Sequence, residues 1–316
     1  MSDPRIVISE VMDSTGLERL SAVAEVHYDP LLWKSPKSLT QAIQDADALV
    51  VRNQTRVTAD VFAVASRLQV VGRLGVGLDN IDVSEARRRK VQVVSAAGAN
   101  AVAVAEYVFA CLLHFSRNLS LANQNVHGGE WDRTLGGFEL YGKTLGLIGL
   151  GDIGQRIAFR ARCFGMRVMA NDPLLLNTRM AAMELGVELR PLDDVLGASD
   201  FISVHVPLTD LTRNLLSAGQ LSRMKPGAYL INTARGGVVN ESDLLAAVAS
   251  GAVAGAALDV RTTEPSSPDD ALCQEPRILL TPHIAGLTRE AGIRTSMMVA
   301  DDVIRVLSGE KPLSPV

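Results

Sequence analysis

Cysteine is scarce in this chain, and the few cysteines present are not arranged for pairing. Only three occur among 316 residues, Cys111, Cys163 and Cys273. They form no CxxC pair and lack the spacing of zinc ligands, so we expect neither a disulfide framework nor a metal site. Reduced thiols are typical of the cytoplasm, where disulfides are rare. We therefore predict a cytoplasmic protein that binds no metal.

Long apolar runs and an excess of one charge are also missing. No segment reaches the ~18 apolar residues that a membrane span needs. The start, MSDPRIVISEV, lacks the basic region and apolar core of a signal peptide. The formal net charge is −4, so no positive field would attract nucleic acid or an anionic membrane. We predict that neither is a partner.

Short apolar runs alternate with helix-length amphipathic stretches along most of the chain. Hydrophobic residues make up 47% and charged residues 21%, a globular balance, and the length predicts about two domains. Amphipathic stretches such as Gly16–Ala24 and Ala59–Ser66 separate the runs, which predicts βα units on parallel sheets. The predicted strands are Arg5–Ser9, Ala48–Val51, Gln69–Gly72, Val91–Val94, Leu145–Ile148, Arg167–Ala170, Phe201–His205, Tyr229–Asn232, Gly255–Leu258 and Ile278–Leu280.

One glycine-rich turn lies in the setting that binds a dinucleotide. The run LGLIGLGDIG places Gly149, Gly151 and Gly154 between an apolar strand and a helix. Such glycines allow a tight turn, the approach of a pyrophosphate and close helix packing, with the phosphates at the helix N-terminus. Asp172 follows the next strand, 18 residues after Gly154, and is suited to bind the ribose hydroxyls. No arginine follows it immediately, so we predict NAD rather than NADP.

Charged side chains follow three later strands. Arg235 comes after LINTA, Asp259 after AAL and His283 after LTP, while Glu264 lies five residues beyond Asp259. Ligands of an open parallel sheet bind outside the carboxyl ends of its strands. We therefore expect these four side chains to converge on the nicotinamide end of the cofactor.

The motifs taken together resemble the D-2-hydroxyacid dehydrogenase family, and most of all the catalytic core of the phosphoglycerate dehydrogenases. The similar stretches follow the family's order over nearly the whole chain: VRNQTRVTAD, VVGRLGVGLDNID, GLIGLGDIG, HVPLT, NTARGG, AALDV, EP and TPHIAG. The resemblance implies a catalytic trio of Arg235, Glu264 and His283. It also implies cofactor contacts at Asp152, Ile153, Asp172, Pro207, Thr212, Ala234, Asp259 and Gly286.

The resemblance implies that the substrate lies against the first hundred residues. It places Arg52, Asn53 and the turn of Gly75, Val76 and Gly77 around the substrate. Arginines that match Arg52 and Arg73 face the substrate and its phosphate in phosphoglycerate dehydrogenases. Arg133 is a further candidate, although its loop, RTLGGFEL, is less basic than a phosphate site requires.

The chemistry of a keto-acid reduction explains the trio independently. A proton must reach the forming alkoxide, and an imidazole exchanges protons near neutral pH. A buried carboxylate at Glu264 would stabilise the imidazolium of His283 and fix its tautomer. Arg235 offers a fork of donors for the substrate carboxylate and carbonyl.

The order of these segments predicts a domain inserted into another. We predict an α/β fold with two doubly wound parallel-sheet domains, the Rossmann NAD domain (100–286) being inserted into a split flavodoxin-like substrate domain (1–99 and 287–316). The two crossings would form a hinge. A long apolar helix over 100–117 and the stretch that follows it favour a homodimer, as the resemblance also implies. The last helix is predicted at Arg289–Leu307.

The function predicted from these features is reversible NAD-linked oxidation of a small D-2-hydroxy acid. A second anionic group on the substrate, as in 3-phosphoglycerate or sulfolactate, is expected from Arg52 and Arg73. A glyoxylate/hydroxypyruvate reductase is the alternative enzyme. An NAD-sensing protein similar to the C-terminal binding proteins, which are corepressors with this fold, is the alternative without catalysis.

Overall fold

The computed structural model describes residues 3–173 and 179–316. Its strands, in chain order, are β1 (Arg5–Ile8), β2 (Glu25–Tyr28), β3 (Ala48–Val51), β4 (Val70–Arg73), β5 (Gln92–Ser95), β6 (Thr144–Ile148), β7 (Arg167–Asn171), β8 (Glu188–Leu189), β9 (Phe201–Val204), β10 (Tyr229–Asn232), β11 (Gly255–Leu258) and β12 (Ile278–Leu280).

Helices alternate with these strands. They are α1 (Ser14–Ser21), α2 (Pro36–Ile43), α3 (Ala59–Val64), α4 (Val83–Arg88), α5 (Ala101–Arg117), α6 (Leu119–His127), α7 (Asp152–Cys163), α8 (Arg179–Glu184), α9 (Leu192–Ala198), α10 (Ala218–Leu221), α11 (Glu241–Ala249) and α12 (Arg289–Leu307), with 3-10 turns at Leu32–Lys34, Gly236–Val238 and Ala271–Gln274.

The chain forms two compact units. The first consists of Met1–Asn100 and Leu287–Val316, and the second of Ala101–Gly286. In the first unit the strand order is β2-β1-β3-β4-β5, and every pair is parallel. This is the order of flavodoxin-like sheets. Successive residues of β1 enter different apolar clusters, Val7 one and Ile6 and Ile8 the other, so both faces of the sheet are buried.

The second unit has the strand order of a Rossmann fold. Its sheet runs β12-β11-β10-β9-β6-β7-β8 with parallel pairing throughout. The order reverses between β6 and β9, which is where open parallel sheets bind ligands. Leu145 and Leu147 pack on one face, and Ile148 and Ile202 on the other. The predicted fold class is confirmed.

Helix α12 belongs to the first unit, to which the chain returns at Leu287. The hydroxyl of Thr288 caps this helix by accepting a hydrogen bond from the amide of Ala291 at 3.1 Å. The helix packs so closely on β4 that a Cβ at Gly72 would lie 2.7 Å from the Val299 side chain. Gly72 therefore allows helix and strand to meet.

The sequence patterns did not predict two of the strands, β2 and β8. β2 and β8 are edge strands whose residues are largely half-buried or exposed, so they lack the apolar run that indicates the central strands. The predicted helix over 100–117 is confirmed as α5, and Glu106, Ala110 and Arg117 are exposed on it.

Among the described helices, none is long and apolar enough to cross a membrane.

Candidate functional site

The glycine-rich turn follows β6 at the point where the strand order reverses. Gly149 has φ +97°, and a Cβ there would lie 2.6 Å from the carbonyl oxygen of His205, which follows β9. A Cβ at Gly154 would lie 2.5 Å from the carbonyl oxygen of Gly149. Because any other residue at these two positions would overlap backbone atoms, both glycines are required by the tight turn itself.

Gly151 differs from these two glycines because packing does not require it. Its φ is −70°, and a Cβ there would meet no atom within 4 Å. It precedes α7, whose first turn has no side-chain cap, and Asp152 instead pairs with Arg156 at 3.0 Å. Open space beside uncapped helical N–H groups is what the pyrophosphate of a dinucleotide requires. The residues of this turn therefore fit NAD.

We expect Gly151→Ala to separate cofactor affinity from stability. The new methyl group enters open space in the folded chain, so the melting temperature should change by no more than that of Gly292→Ala, a helical glycine with equally open surroundings. NADH should bind about tenfold more weakly, which corresponds to about 1.4 kcal/mol. Fluorescence titration with NADH measures the Kd. Unchanged affinity would mean that no phosphate approaches this glycine.

The other residues predicted to contact the cofactor lie around this turn or on neighbouring loops. Asp172 follows β7 and accepts a hydrogen bond from the Leu150 amide at 2.8 Å, which brings its carboxylate to the glycine turn. In the loop after β9, the hydroxyl of Thr212 donates to the carbonyl of Pro207 at 2.5 Å, so these two residues are adjacent. Ile153 is half-buried against the core, and Ala234 follows β10.

His205 directly follows β9 and is half-buried. Its Nε2 lies 2.8 Å from the Ser203 hydroxyl, and its buried Nδ1 has no hydrogen-bond partner among the described residues. Burial lowers the pKa of His205 to about 3. The side chain therefore stays neutral near pH 7, and it is the backbone carbonyl of His205 that faces Gly149.

This depressed pKa predicts a pH dependence of stability. An unfolded imidazole binds a proton near pH 6.5, whereas folded His205 does so only near pH 3. Its contribution is therefore fully present above about pH 6.5 and is lost as the pH falls below that value. The unfolding free energy of the wild type should decrease as the pH falls below about 6.5. In His205→Gln that decrease should be smaller, by up to about 1.4 kcal/mol per pH unit. Urea unfolding between pH 7 and 5 measures this slope, with exposed His127→Gln as the control. Equal slopes in His205→Gln and the wild type would contradict the assignment.

His283 and Glu264 form a hydrogen-bonded pair. The His283 Nδ1 and Glu264 Oε2 atoms are 2.9 Å apart, and the Arg261 amide donates to Glu264 Oε1 at 2.9 Å. An ionised carboxylate only accepts, so Nδ1 carries the proton and Nε2 is left to act on a ligand. The expectation of a buried carboxylate is wrong: 39% of the Glu264 side chain is exposed. The pair lies on loops beyond the strand ends, which leaves it accessible.

Strand register explains why Arg235 belongs to the same edge. Asn232 pairs with Leu258, and Leu258 pairs with Leu280, so β10, β11 and β12 end side by side. Arg235 follows β10, is half-buried, and donates from Nη1 to the carbonyl of Ala234 at 2.7 Å. A Cβ at the next residue, Gly236, would lie 2.1 Å from the backbone of Arg261 in the Glu264 loop. Close backbone contact thus joins the two segments.

Asp259 holds the backbone of the histidine loop. It is 1% exposed, and its carboxylate accepts hydrogen bonds from the Thr281 hydroxyl at 2.7 Å and from the amides of Ile284 and Ala285 at 2.7 and 2.8 Å. These bonds surround His283, which has φ +58° in the left-handed region that few side chains adopt. Asp259 therefore positions His283, and Gly286 follows directly after the anchored segment.

Tyr107 extends this network, a role that no sequence pattern indicates. Its hydroxyl lies 2.5 Å from the Thr281 hydroxyl, whose own proton is donated to Asp259. Tyr107 must therefore be the donor. Burial raises the pKa of Tyr107, which keeps that proton in place. A tyrosine within an apolar helix carries no local sign of this role.

The Glu264 loop has its own anchor, also missed in the sequence. The Arg261 side chain is 7% exposed and pairs with Glu241 at 3.0 Å and with Asp270 at 2.7 Å. Glu241 also accepts a hydrogen bond from the Thr262 amide at 2.6 Å. The backbone that donates to Glu264 is therefore fixed by a largely buried ion pair, which is costly to break.

The residues predicted to contact substrate lie together in the first unit. Val51 pairs with Arg73, so the loops that follow β3 and β4, which carry Arg52 and the Gly75 turn, are neighbours. Arg73 donates from Nη1 to the Leu74 carbonyl at 2.8 Å, and its guanidinium occupies the space that a Cβ at Gly75 would need. Val76 is 43% exposed, and Arg133, in the other unit, is exposed.

Residues 109–285 match the family model described as D-isomer specific 2-hydroxyacid dehydrogenase, NAD binding domain. The chain is 42% identical to an (S)-sulfolactate dehydrogenase of Chromohalobacter salexigens, over 97% of this chain and 99% of that one. It is 41% identical to a D-3-phosphoglycerate dehydrogenase of Bacillus subtilis over 99% of this chain but only 58% of the relative. The chain thus spans little more than half the length of that relative.

A solved structure with a similar fold is the NADPH-dependent glyoxylate/hydroxypyruvate reductase SmGhrB from Sinorhizobium meliloti in complex with citrate. It has a TM-score of 0.87 and 30% identity, and the match covers 99% of this chain and 97% of that chain. The TT0316 protein from Thermus thermophilus has a TM-score of 0.89 and 33% identity, over 99% of both chains.

Proposed function

Because the chain belongs to the D-isomer specific 2-hydroxyacid dehydrogenase family, we propose that it catalyses the reversible NAD-dependent oxidation of a small D-2-hydroxy acid to its 2-keto acid. The observation that carries this proposal is the His283–Glu264 pair, 2.9 Å apart at the sheet edge where Arg235 also lies. Such a pair delivers a proton, and an adjacent guanidinium binds an anionic acid.

In this proposal each member of the trio has a separate task. His283 donates the Nε2 proton to the alkoxide that forms during reduction and recovers it in the reverse direction. Glu264 accepts from Nδ1, which keeps the ring oriented and stabilises the imidazolium. Arg235 holds the substrate carboxylate and polarises the carbonyl. When bound, the nicotinamide supplies or accepts the hydride.

Asp172 favours NAD over NADP in the proposed reaction. Its carboxylate is at the glycine turn, where it is suited to accept hydrogen bonds from ribose hydroxyls and would repel a 2′-phosphate. The solved reductase with 30% identity is described as NADPH-dependent, so coenzyme choice varies among proteins of this fold.

We propose a substrate with a second anionic group, of the 3-phosphoglycerate or sulfolactate type. In this proposal Arg235 binds one carboxylate, and further cations come from Arg52 and Arg73, whose loops neighbour each other within the first unit. D-3-phosphoglycerate and (S)-sulfolactate have the same spatial arrangement at the carbinol carbon, because the sulfur atom reverses the order of priorities. One site of a single handedness would therefore accept both. The alternative is a glyoxylate/hydroxypyruvate reductase, which the similarity to SmGhrB favours.

A panel of 2-keto acids tests this function. NADH consumption should be measured with pyruvate, glyoxylate, hydroxypyruvate, phosphohydroxypyruvate and sulfopyruvate. The highest kcat/KM is expected for a phosphorylated or sulfonated acid. A preference for glyoxylate or hydroxypyruvate would support the reductase instead. NADH binding without turnover of any acid would indicate a sensing protein similar to the corepressors.

Arg73→Ala tests the second anionic group directly. Loss of one charge-assisted contact is worth roughly 1.5–3 kcal/mol, so KM for the doubly anionic substrate should rise about 10- to 150-fold. KM for pyruvate should change far less. Arg87→Ala, on α4 of the same unit, is the control for lost positive charge. Equal losses for both substrates would assign Arg73 to the common carboxylate or to the fold.

We also propose that the protein is a homodimer and that it is cytoplasmic. No residue of α6 is buried, and Leu119, Leu121, Val126 and Trp131 are between 48% and 79% exposed on this helix and the segment after it. Apolar groups exposed together are typical of a surface that a partner covers. Cys111, Cys163 and Cys273 form no disulfide, as in proteins of a reducing compartment.

A further inference from the structure

A buried glutamate two residues after β1 has none of the roles described above. Glu10 is 3% exposed. Its carboxylate accepts hydrogen bonds from four consecutive backbone amides, those of Arg52, Asn53, Gln54 and Thr55, at 2.7, 3.1, 2.9 and 2.9 Å. No cation pairs with it among the described residues. The four amides therefore provide the compensation that a buried charge requires.

The same loop is held from its carbonyl side. The side-chain amide of Asn80 donates to the carbonyl oxygens of Arg52 and Thr55, at 3.3 and 2.7 Å. The Thr55 hydroxyl lies 2.8 Å from the buried Ser9 hydroxyl. All four amides of residues 52–55 and the carbonyls of Arg52 and Thr55 are thus hydrogen-bonded, which restricts this short loop to one conformation.

This arrangement restricts how the loop can meet a ligand. Consecutive amides that converge on one point form an anion-binding nest, and Glu10 already fills it. These amides are therefore not available to a substrate carboxylate. Arg52 and Asn53 would have to act through their side chains, and the Arg52 guanidinium has no hydrogen bond or ion pair within the described part of the chain.

We propose that Glu10 is a positioning residue that fixes the Arg52–Asn53 loop so that the Arg52 guanidinium is presented to the anionic substrate. This inference rests on the proposed function. The Glu10 carboxylate occupies the anion site formed by the four amides. Because those bonds fix the loop, they also fix the position from which the Arg52 guanidinium extends. Pre-organising a contact in this way lowers the entropic cost of substrate binding.

The test is Glu10→Gln, which keeps the shape but places an amide group against N–H donors. KM for the best keto acid of the panel should rise at least tenfold, while kcat changes less than threefold and the Kd of NADH is unchanged. Glu85→Gln is the control, because Glu85 is also a largely buried carboxylate of this unit but pairs with Arg88 and Arg89. A KM within twofold of wild type in folded Glu10→Gln would overturn the inference.

Two further variants keep the test decisive. Glu10→Ala leaves the nest empty, so added formate should restore KM in a concentration-dependent way, whereas Glu10→Gln should show no such rescue. Asn80→Ala removes both carbonyl contacts and should raise KM with unchanged NADH affinity. If neither Glu10 variant folds, an unchanged KM in Asn80→Ala overturns the inference. If the wild type reduces no keto acid, the proposed function fails first, and the inference fails with it.

Discussion

His283→Asn should abolish turnover while leaving NADH binding nearly intact. Asparagine approximates the position of Nδ1 and its contact with Glu264, but it cannot donate a proton to an alkoxide. The loss expected for a general acid is about 10²- to 10⁴-fold in kcat. Stopped-flow or steady-state assays measure kcat, and NADH fluorescence measures the retained affinity. A variant that kept more than half of the wild-type activity would exclude His283 as the proton donor.

Two companion variants separate chemistry from folding. His27→Asn changes an exposed histidine on β2 and should have no effect on kcat. Glu264→Gln should lower kcat by itself, because Oε2 faces Nδ1 of His283 at 2.9 Å. The double variant His283→Asn/Glu264→Gln should lose little more than His283→Asn alone, since groups that act as a unit are not additive. Multiplicative losses would mean that the two residues act independently.

Asp172→Ala should change the coenzyme preference. The carboxylate is held beside the Leu150 amide at the glycine turn, where a ribose would lie. Removing it deletes hydrogen bonds to the ribose hydroxyls and a repulsion against a 2′-phosphate. The ratio of kcat/KM for NAD to that for NADP should fall roughly 10- to 150-fold. Adding Pro173→Arg should lower the ratio further, because a guanidinium binds phosphate.

Asp194→Ala is the matched control, since Asp194 is an exposed carboxylate of the same unit on α9. It should leave the coenzyme ratio unchanged. A wild-type preference for NADP would show that Asp172 does not face a ribose hydroxyl, whatever the variants do.

Much of the candidate site was predictable because its motifs are local. Gly149, Gly151 and Gly154 are close in sequence, and their strand and helix neighbours are recognisable from apolar runs. Arg235, Asp259 and His283 each follow an apolar strand, and parallel strands bring such ends to one edge. The buried strands were predicted well, since strands covered on both faces are continuously apolar. The edge strands β2 and β8 lack that signal.

Local motifs indicate candidate site residues, but they do not indicate which atoms each side chain contacts. Asp259 was predicted to contact the cofactor, and the structure adds a role that its motif does not indicate: its carboxylate accepts hydrogen bonds from Thr281 and the loop amides. Glu264 was expected to be buried, yet it is partly exposed. A carboxylate after a strand has the same sequence signature in either case, because its orientation depends on the donors that neighbouring loops supply.

The order of strands and helices, the glycine turn and the charged residues at strand ends could be predicted from the amino-acid sequence, because each depends on residues close together in the chain. The contacts that hold those residues in place could be read only from the folded chain. Tyr107 meets Thr281 across 174 positions, and Glu10 meets the 52–55 loop from 42 to 45 positions away. Such hydrogen bonds need atoms placed within a few tenths of an ångström. That placement depends on which strands lie side by side and on how their loops turn, and neither is encoded in any single stretch of sequence.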